Sequence, residues 1–298
     1  MPPMSNPADL LLKHEPKHEF LVAIDSDGCA FDTMEIKHKE CFIPNIIKHW
    51  HLQPVSKYAR AAGEFVNLYS KWRGVNRFPA LTMVFDLLMD WPEAQRRDPV
   101  IPVAASLRDW ISRETKLSNP SLKKEVEATG DPVLAQALAW SEEVNATVGE
   151  MVHNCPPFPF VRESLEKVSQ FADIIVSSST PGEALNREWN EHGIAKYTSV
   201  IAGQEMGSKK EHLQHVTDGK YDKSKVIMIG DAPGDRKAAE ANGLLFFPIN
   251  PGFEDGSWER FLNEASDHFQ NGTYDAEYRS ALIADFEALL PDVPPWKK

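Results

Sequence analysis

Two aspartates at the end of an apolar run are the residues of this sequence with the clearest capacity for chemistry. The run is Phe20–Ile24, and Asp25 and Asp27 follow it. Its length and β-branched content predict a strand that is buried on both faces. Residues two apart in a strand point to the same side, so both carboxylates would emerge together, and Gly28 permits a sharp turn after them. Because adjacent carboxylates repel each other, the pair requires a cation or a shifted pKa.

Two simpler explanations of this stretch exist, and the sequence excludes one of them. Asp-x-Asp-Gly is common turn chemistry, so these residues alone leave a plain turn open. A calcium-binding loop of the helix–loop–helix type needs Gly at its sixth position and Glu at its twelfth. Counted from Asp25, those positions hold Ala30 and Ile36, which excludes such a loop.

A second apolar run, residues 226–229, also ends in carboxylates. Asp231 and Asp235 follow it, although Asp235 alone is equally typical of a cap at the start of a helix. In an open α/β sheet, ligands bind at the carboxyl ends of the strands. Two acidic strand ends in one sheet would gather four carboxylates, and such a cluster favours a hard divalent cation. Mg²⁺ suits it, because Mg²⁺ takes oxygen ligands and typically adds a phosphate oxygen.

The order of the predicted elements indicates an α/β fold. After about residue 160, strands and helices alternate, which is typical of a doubly wound parallel sheet. The predicted strands of this region are residues 173–176, 198–202, 225–229 and 244–248. Residues 34–154 show helical spacing and no convincing strand rhythm. Prolines are predicted to separate the helices of this insert: Pro92, Pro99, Pro102, Pro120 and Pro132. We therefore predict a discontinuous Rossmann-like core of residues 19–33 and 155–298 and an all-helical domain of residues 34–154.

Composition limits the partners of the protein. The 298 residues carry 44 acidic and 32 basic side chains, a formal charge of −12, which disfavours a nucleic-acid-binding or anionic-membrane-binding surface. Cys29, Cys41 and Cys155 are too few for a disulfide framework in a chain of this length and favour a reducing compartment. Leu10–Leu12 is too short for a signal peptide, and no apolar run reaches membrane-spanning length. We expect a cytoplasmic protein, and its oligomeric state stays open.

Two weaker features fit a phosphate-binding site. Ser177 ends a predicted strand, and its hydroxyl, with the backbone amides of Ser178 and Ser179, is suited to holding a phosphoryl oxygen. Lys209 and Lys210 precede a predicted helix and would add a positive charge. Turn serines and solvated surface lysines explain these residues equally well.

In this order and spacing, the segments resemble the motifs of the haloacid dehalogenase superfamily of phosphohydrolases. Asp25–Asp32 is similar to the first motif and Ser177 to the second. Lys209, which we prefer, or Lys210 is similar to the third motif, and Gly230–Asp235 to the fourth.

The resemblance covers about residues 19–33 and 156–250, and it implies that the helical insert is the cap domain of this family. Cys29 departs from the pattern, because the family usually has threonine there. A small residue that supplies only its backbone explains the change, and a redox-sensitive thiol is the alternative.

The resemblance also implies a mechanism. Asp25 would attack phosphorus and form an aspartyl-phosphate, while Asp27 would protonate the leaving alcohol and then activate the hydrolytic water. Ser177 and Lys209 would steady the transferring phosphoryl group. The implied Mg²⁺ site consists of the Asp25 carboxylate, the Asp27 backbone carbonyl and Asp231, with Asp235 orienting a bound water.

Substrate choice is expected to depend on the cap. Arg73 and Arg77 flank a Gly-Val-Asn turn and form a candidate clamp for an anionic or polyhydroxylated leaving group. Two solvated arginines explain the pattern equally well. Glu35, Lys37 and His38 are further candidates, and a solvent-facing helix end explains them as well.

These features favour a Mg²⁺-dependent phosphohydrolase that acts on a small phosphorylated metabolite. A dehalogenase or phosphonate-cleaving relative is disfavoured, because such relatives lack the aspartate that Asp27 supplies. A phospho-receiver module is disfavoured, because it places its acidic pair and its acceptor aspartate on different strands. A sugar-phosphate mutase keeps both aspartates and stays open, with Lys37 or His38 as the proton shuttle. A non-catalytic binding protein is the remaining alternative.

Overall fold

The computed structural model describes residues 6–297 and divides the chain into two compact units. The core unit contains the residues up to Thr33 and Asn154–Leu289, and the helical unit contains Met34–His153 and the residues from Leu290 onward. From the sequence we predicted that the residues from Leu290 onward belong to the core, and that prediction is wrong. The indole of Trp296 stacks on that of Trp91 with ring centroids 4.1 Å apart, so the last residues complete the apolar core of the helical unit.

The core unit is built on a parallel five-stranded sheet, as predicted. The spatial order is β3-β2-β1-β4-β5, and every neighbouring pair is parallel. The strands are β1 Phe20–Ile24, β2 Ala172–Ser177, β3 Val200–Ala202, β4 Val226–Gly230 and β5 Leu245–Pro248. Nearly all of their residues are buried, because helices cover both faces, and this explains their continuous apolar sequences.

Within residues 6–297, one short helix precedes the sheet, and eight α-helices form the insert after β1. A short helix, α1 (Asp9–Leu12), precedes β1. The insert then supplies α2 Thr33–Ile36, α3 Ile43–His49, α4 Ser56–Asn67, α5 Arg77–Met89, α6 Pro92–Gln95, α7 Ala105–Arg113, α8 Asn119–Thr129 and α9 Pro132–Met151. A π-helical segment, Lys37–Phe42, joins α2 to α3. Among its described residues, the insert therefore consists of helices and connecting loops, without a strand.

The remaining helices cover the sheet. They are α10 Val161–Val168, α11 Gly182–Glu191, α12 Lys209–Thr217, α13 Pro233–Ala241, α14 Glu254–Arg260, α15 Ser266–Gln270 and α16 Ala276–Ala288. The C-terminal helices bury Trp258, Phe261 and Phe269 in the same apolar cluster as the sheet. Among residues 6–297, no helix is both long and apolar enough to cross a membrane.

Candidate active site

The register of the sheet brings the predicted site residues to one edge. Ile24 of β1 lies opposite Val176 of β2 and Ile229 of β4. The next residue of each strand, Asp25 in the case of β1, therefore reaches the same carboxyl edge. The chain continues from β1 to β2 on one side and later returns to β4 on the other. This makes the edge beside β1 the topological switch point, where α/β sheets bind ligands.

The loop after β1 is held rigidly around its aspartates. Gly28 adopts a left-handed φ of 74°, which favours glycine, and its N–H donates to the Phe31 carbonyl over 2.8 Å. The Trp189 indole donates to Ser26 Oγ over 3.0 Å, and the Trp258 indole donates to the Cys29 carbonyl over 2.7 Å. Two buried tryptophans thus fix the backbone that carries the first aspartate pair.

Three buried carboxylates meet at this edge around one ammonium group. One oxygen from each of Asp25, Asp231 and Asp235 lies within 4.8 Å of the others. The Lys209 Nζ lies 2.6 Å from Asp25 Oδ2 and 2.5 Å from Asp235 Oδ1. Lys210, the alternative motif lysine, is exposed. Lys209 is therefore the lysine of this pair that lies against the carboxylates.

The cluster carries more negative charge than one lysine offsets. Burial raises the pKa of the Asp25 carboxyl well above its usual value; Lys209 opposes this rise, and the two neighbouring carboxylates add to it. Burial by itself disfavours the charged ammonium of Lys209, but Asp235 and Asp25 outweigh that effect and raise its pKa. Lys209 therefore stays protonated. The negative charge of the carboxylates that Lys209 does not offset can attract a second cation.

This donor set fits Mg²⁺. Magnesium prefers oxygen ligands and is commonly held by a few carboxylates together with waters and a substrate phosphate. The three carboxylates are buried and close enough together to share one ion. Asp25, Asp231 and Asp235 are the side chains that would hold it. The metal role of the Asp27 carbonyl stays a prediction.

Asp235 is locked in place by its neighbours. Its Oδ2 accepts a hydrogen bond from the Ala232 N–H over 3.1 Å, at the start of α13. A Cβ at Gly230 would lie only 2.4 Å from the Asp235 Cβ. Glycine at the end of β4 is therefore what allows this carboxylate to approach the strand.

Asp27 has a different environment from Asp25. It is only partly buried, and its two carboxylate oxygens accept from two hydroxyl groups, those of Thr33 and Thr180. The Thr180 Oγ1 lies 2.6 Å from Asp27 Oδ2. The sequence indicated neither threonine, because Thr180 lies 153 residues from Asp27 and nothing in its local pattern links the two.

The serines after β2 are placed differently from one another. Ser177 is fully buried, and its Oγ lies 3.0 Å from Nδ1 of His212 on α12. Ser178 is buried and its Oγ accepts from the Thr180 N–H over 3.2 Å, whereas Ser179 is exposed. His212 was missed by sequence reasoning, because a single histidine inside a helix gives no signal of its own. The phosphate-binding roles of the three serines stay predictions.

Burial is the main cause of the shifted pKa values of His212 and Cys29. Burial lowers the pKa of His212 to about 4, with the Lys209 charge adding to the effect, so this imidazole is neutral at neutral pH. Burial also raises the pKa of the Cys29 thiol well above its usual value, and nearby carboxylates reinforce the rise. A buried thiol of this kind lacks the thiolate character that redox sensing needs, which favours the plain explanation of Cys29.

The two candidate clamp arginines lie in the helical unit and are engaged there. The Arg77 Nη1 donates to the Ser141 carbonyl over 3.0 Å and to Asn145 Oδ1 over 2.7 Å. Its guanidinium lies 4.9 Å from the centroid of the Phe42 ring. Arg73 is 4% exposed, and its Nη1 donates to the Leu68 carbonyl over 2.9 Å. These contacts are structural, and the substrate-binding role of both arginines stays a prediction.

The other candidates of the insert lie at its beginning. Glu35 accepts from the Tyr69 hydroxyl and pairs with the Lys39 ammonium. Lys37 is buried and begins the π-helical segment. The ring of the next residue, His38, packs against the Phe42 ring with centroids 4.7 Å apart. None of these contacts assigns them a ligand.

Comparison with known proteins finds a family that part of the chain matches. A family model described as haloacid dehalogenase-like hydrolase matches residues 112–249. Over this range, a little under half of its length, the chain is similar to this family. The matched range includes Asp231 and Asp235 of the carboxylate cluster and begins well after Asp25. No curated protein matches the sequence.

Solved structures also match the chain. One is a putative phosphoglycolate phosphatase from Lactobacillus delbrueckii (13% identity, TM-score 0.48, 85% of this chain and 98% of that one). Another is a putative β-phosphoglucomutase from Thermotoga maritima (18%, 0.42, 83% and 99%). A third is a putative haloacid dehalogenase-type hydrolase from Bacillus subtilis, bound to magnesium (12%, 0.46, 79% and 88%). Identities and scores this low transfer neither a substrate nor a reaction.

Proposed function

We propose that the protein is a Mg²⁺-dependent phosphohydrolase that acts on a small phosphorylated metabolite through an aspartyl-phosphate on Asp25. The observation that carries the proposal is the cluster of three buried carboxylates around the Lys209 ammonium at the carboxyl end of β1. Simple binding of a phosphorylated ligand would not require this concentration of negative charge. The match of residues 112–249 to the haloacid dehalogenase-like hydrolase model supports the same chemistry.

In the first half-reaction, the Asp25 carboxylate attacks phosphorus. A bond forms between a carboxylate oxygen and phosphorus, and the bond from phosphorus to the substrate oxygen breaks. The leaving oxygen takes its proton from the Asp27 carboxyl, which becomes a carboxylate.

In the second half-reaction, water attacks the phosphorus of the aspartyl-phosphate. Asp27 accepts the proton of that water, and the bond between phosphorus and Asp25 breaks. Inorganic phosphate leaves, and both aspartates return to their starting states.

The other groups of the site act through charge and orientation. Lys209 is positioned to offset negative charge on the transferring phosphoryl group, because its ammonium already lies against the nucleophile. A bound Mg²⁺ supplies Lewis-acid stabilisation and reduces repulsion between the carboxylates and an anionic substrate. Ser177, Ser178 and the backbone around Ser179 are the candidates for holding phosphoryl oxygens at the end of β2.

Phosphate release from a broad panel of phosphorylated metabolites tests the proposal. The native protein, Asp25→Asn and the surface control Asp218→Asn are each assayed with Mg²⁺ and with a chelator. We expect release that requires Mg²⁺ and Asp25 and that is unchanged in Asp218→Asn, whose aspartate is exposed. The preferred substrate would then define what the cap domain selects.

Two other outcomes would replace the proposal. Conversion of one sugar phosphate into its isomer, without net release of phosphate, would establish the mutase. Saturable binding of a phosphorylated compound without any turnover would establish a binding protein. Turnover that survives in Asp25→Asn would refute the aspartyl-phosphate.

A further inference from the structure

We infer that Thr180 is a positioning residue that aims the Asp27 carboxyl for proton transfer to the leaving group. The inference rests on the proposed function, because it assigns a role within the same reaction. It adds a hydroxyl from the loop after β2 to the proton-transfer machinery of the site. The supporting observation is that two threonine hydroxyls donate hydrogen bonds to the two carboxylate oxygens of Asp27.

The two hydroxyls come from separate parts of the chain. Thr33 is buried at the first position of α2, six residues after Asp27, and donates to Asp27 Oδ1. Thr180 lies beyond the end of β2 and donates to Asp27 Oδ2 over 2.6 Å. A carboxylate held at both oxygens cannot rotate freely about its Cβ–Cγ bond. The pair of hydroxyls therefore fixes the plane of the Asp27 carboxylate.

The backbone of Thr180 is itself held at both ends. Its N–H donates to Ser178 Oγ over 3.2 Å, and its carbonyl accepts from the Gln204 N–H over 3.1 Å. The loop after β2 is thus tied both to its own strand and to the segment that follows β3. This anchoring sets the direction of the Thr180 hydroxyl, since a β-branched side chain has few χ1 rotamers.

Orientation is what a proton donor or acceptor of this kind needs. General acid–base catalysis requires the carboxyl to lie within hydrogen-bond reach of the oxygen that exchanges its proton. Asp27 is partly exposed, so packing alone does not fix it. Removal of the Thr180 hydroxyl would leave one oxygen without this donor and let the carboxyl turn away from the leaving group.

The leaving group provides a readout that a purely structural role would not change. p-Nitrophenyl phosphate expels a stable anion that barely needs a proton, whereas phenyl phosphate carries the same ring and needs the proton more. We compare kcat/KM for these two compounds, because this parameter reports the steps up to release of the phenol. The variants are Thr180→Val, which removes the hydroxyl at nearly constant shape, Thr180→Ser, which keeps it, and the remote control Thr198→Val. The Thr198 hydroxyl donates to the Ala195 carbonyl of its own turn.

We expect Thr180→Val to lower kcat/KM for phenyl phosphate by about tenfold or more, a part of the roughly 100-fold or greater contribution of general acid catalysis. The loss with p-nitrophenyl phosphate should be clearly smaller. Thr180→Ser should restore the native ratio between the two substrates, and Thr198→Val should not change it. Thermal unfolding of each variant shows whether the fold is intact.

Different results overturn different claims. Equal losses with both substrates in Thr180→Val, or no loss with either, would refute the positioning role while leaving Asp25-dependent hydrolysis in place. Failure of Thr180→Ser to restore the native ratio would also refute it. Hydrolysis that does not depend on Asp25 would refute the proposed function and this role with it.

Discussion

Replacement of Gly230 by alanine should displace the buried carboxylate of Asp235. An added Cβ would lie 2.4 Å from the Asp235 Cβ, and ordinary contact begins at 3.4 Å, so the atoms must separate by 3.4 − 2.4 = 1.0 Å. Asp235 has little freedom to move. It is fully buried, its Oδ1 lies 2.5 Å from the Lys209 Nζ, and its Oδ2 accepts from the Ala232 N–H.

The expected cost follows from this geometry. Forcing extra atoms into a packed site typically costs about 1–3 kcal/mol of folding stability. The same displacement moves one of the three carboxylates of the proposed Mg²⁺ site. Loss of a supporting contact around a metal typically weakens binding by about 10–100-fold. We therefore expect Gly230→Ala to lower both the free energy of unfolding and the apparent affinity for Mg²⁺.

Gly234→Ala is the matched control. Gly234 lies four residues later, in the first turn of α13, and a Cβ there would meet nothing within 4 Å. Alanine inside a helix is usually more stable than glycine by about 0.5–1 kcal/mol. Urea unfolding and a Mg²⁺ titration of phosphate release measure both effects. Native stability and native Mg²⁺ dependence in Gly230→Ala would refute the close approach of Asp235 to the strand.

Three further predictions test other parts of the account. Lys209→Met leaves buried carboxylates without their ammonium, so it should lower stability by about 3–5 kcal/mol in a chelator, with partial recovery in Mg²⁺. Thermal unfolding checks this, and an unchanged midpoint would contradict it. The pKa of His212 is about 4 in the folded protein against an ordinary 6.5, so the unfolded chain binds its proton first as the pH falls. The stability that depends on neutral His212 is complete above pH 6.5 and is lost towards pH 4. It amounts to at most about 3 kcal/mol, and His212→Gln should flatten this part of the pH dependence measured by urea unfolding. Arg77→Met should lower stability by about 1–3 kcal/mol, because the guanidinium donates to Ser141 and Asn145. A raised KM at native stability would instead support the clamp prediction.

The sheet could be predicted from the sequence because its strands are short apolar runs that end in turn residues. The predicted strand over residues 198–202 starts two residues early, because only Val200–Ala202 pair with β2. The predicted strand Phe20–Ile24 agrees with the structure at both ends, and the remaining three differ by one residue at one or both ends. Burial on both faces gives a strong local signal, and the exact ends depend on pairing that the local sequence does not contain.

The prolines predicted to separate the helices of the insert stand between them, and three of these prolines also begin a helix. Pro92, Pro120 and Pro132 each lie in the first turn of a helix. The missing N–H of proline costs nothing at that position, so the residue begins a helix as readily as it ends one. The helix at Asn119–Thr129 begins in this way, with Ser118 as its N-cap and Pro120 in its first turn.

Within the site, the residues that could be predicted are those whose position relative to a predicted strand places them at the edge of the sheet. The aspartates follow strands of one sheet, so their meeting could be inferred from the order of the elements. Thr180 and His212 act through contacts across the fold, with Asp27 and Ser177 respectively. Such contacts depend on register and helix placement, which residue type alone does not specify.

Trapping of phosphate on Asp25 is the most direct test of the central claim. Asp27→Asn should still transfer the phosphoryl group from p-nitrophenyl phosphate, because this leaving group barely needs a proton. It should then lose phosphate slowly, because the base for the second step is gone. We expect one rapid burst of nitrophenolate and a hydroxylamine-labile phosphate on the peptide that contains Asp25. A burst without label on that peptide, or label on another residue, would contradict it.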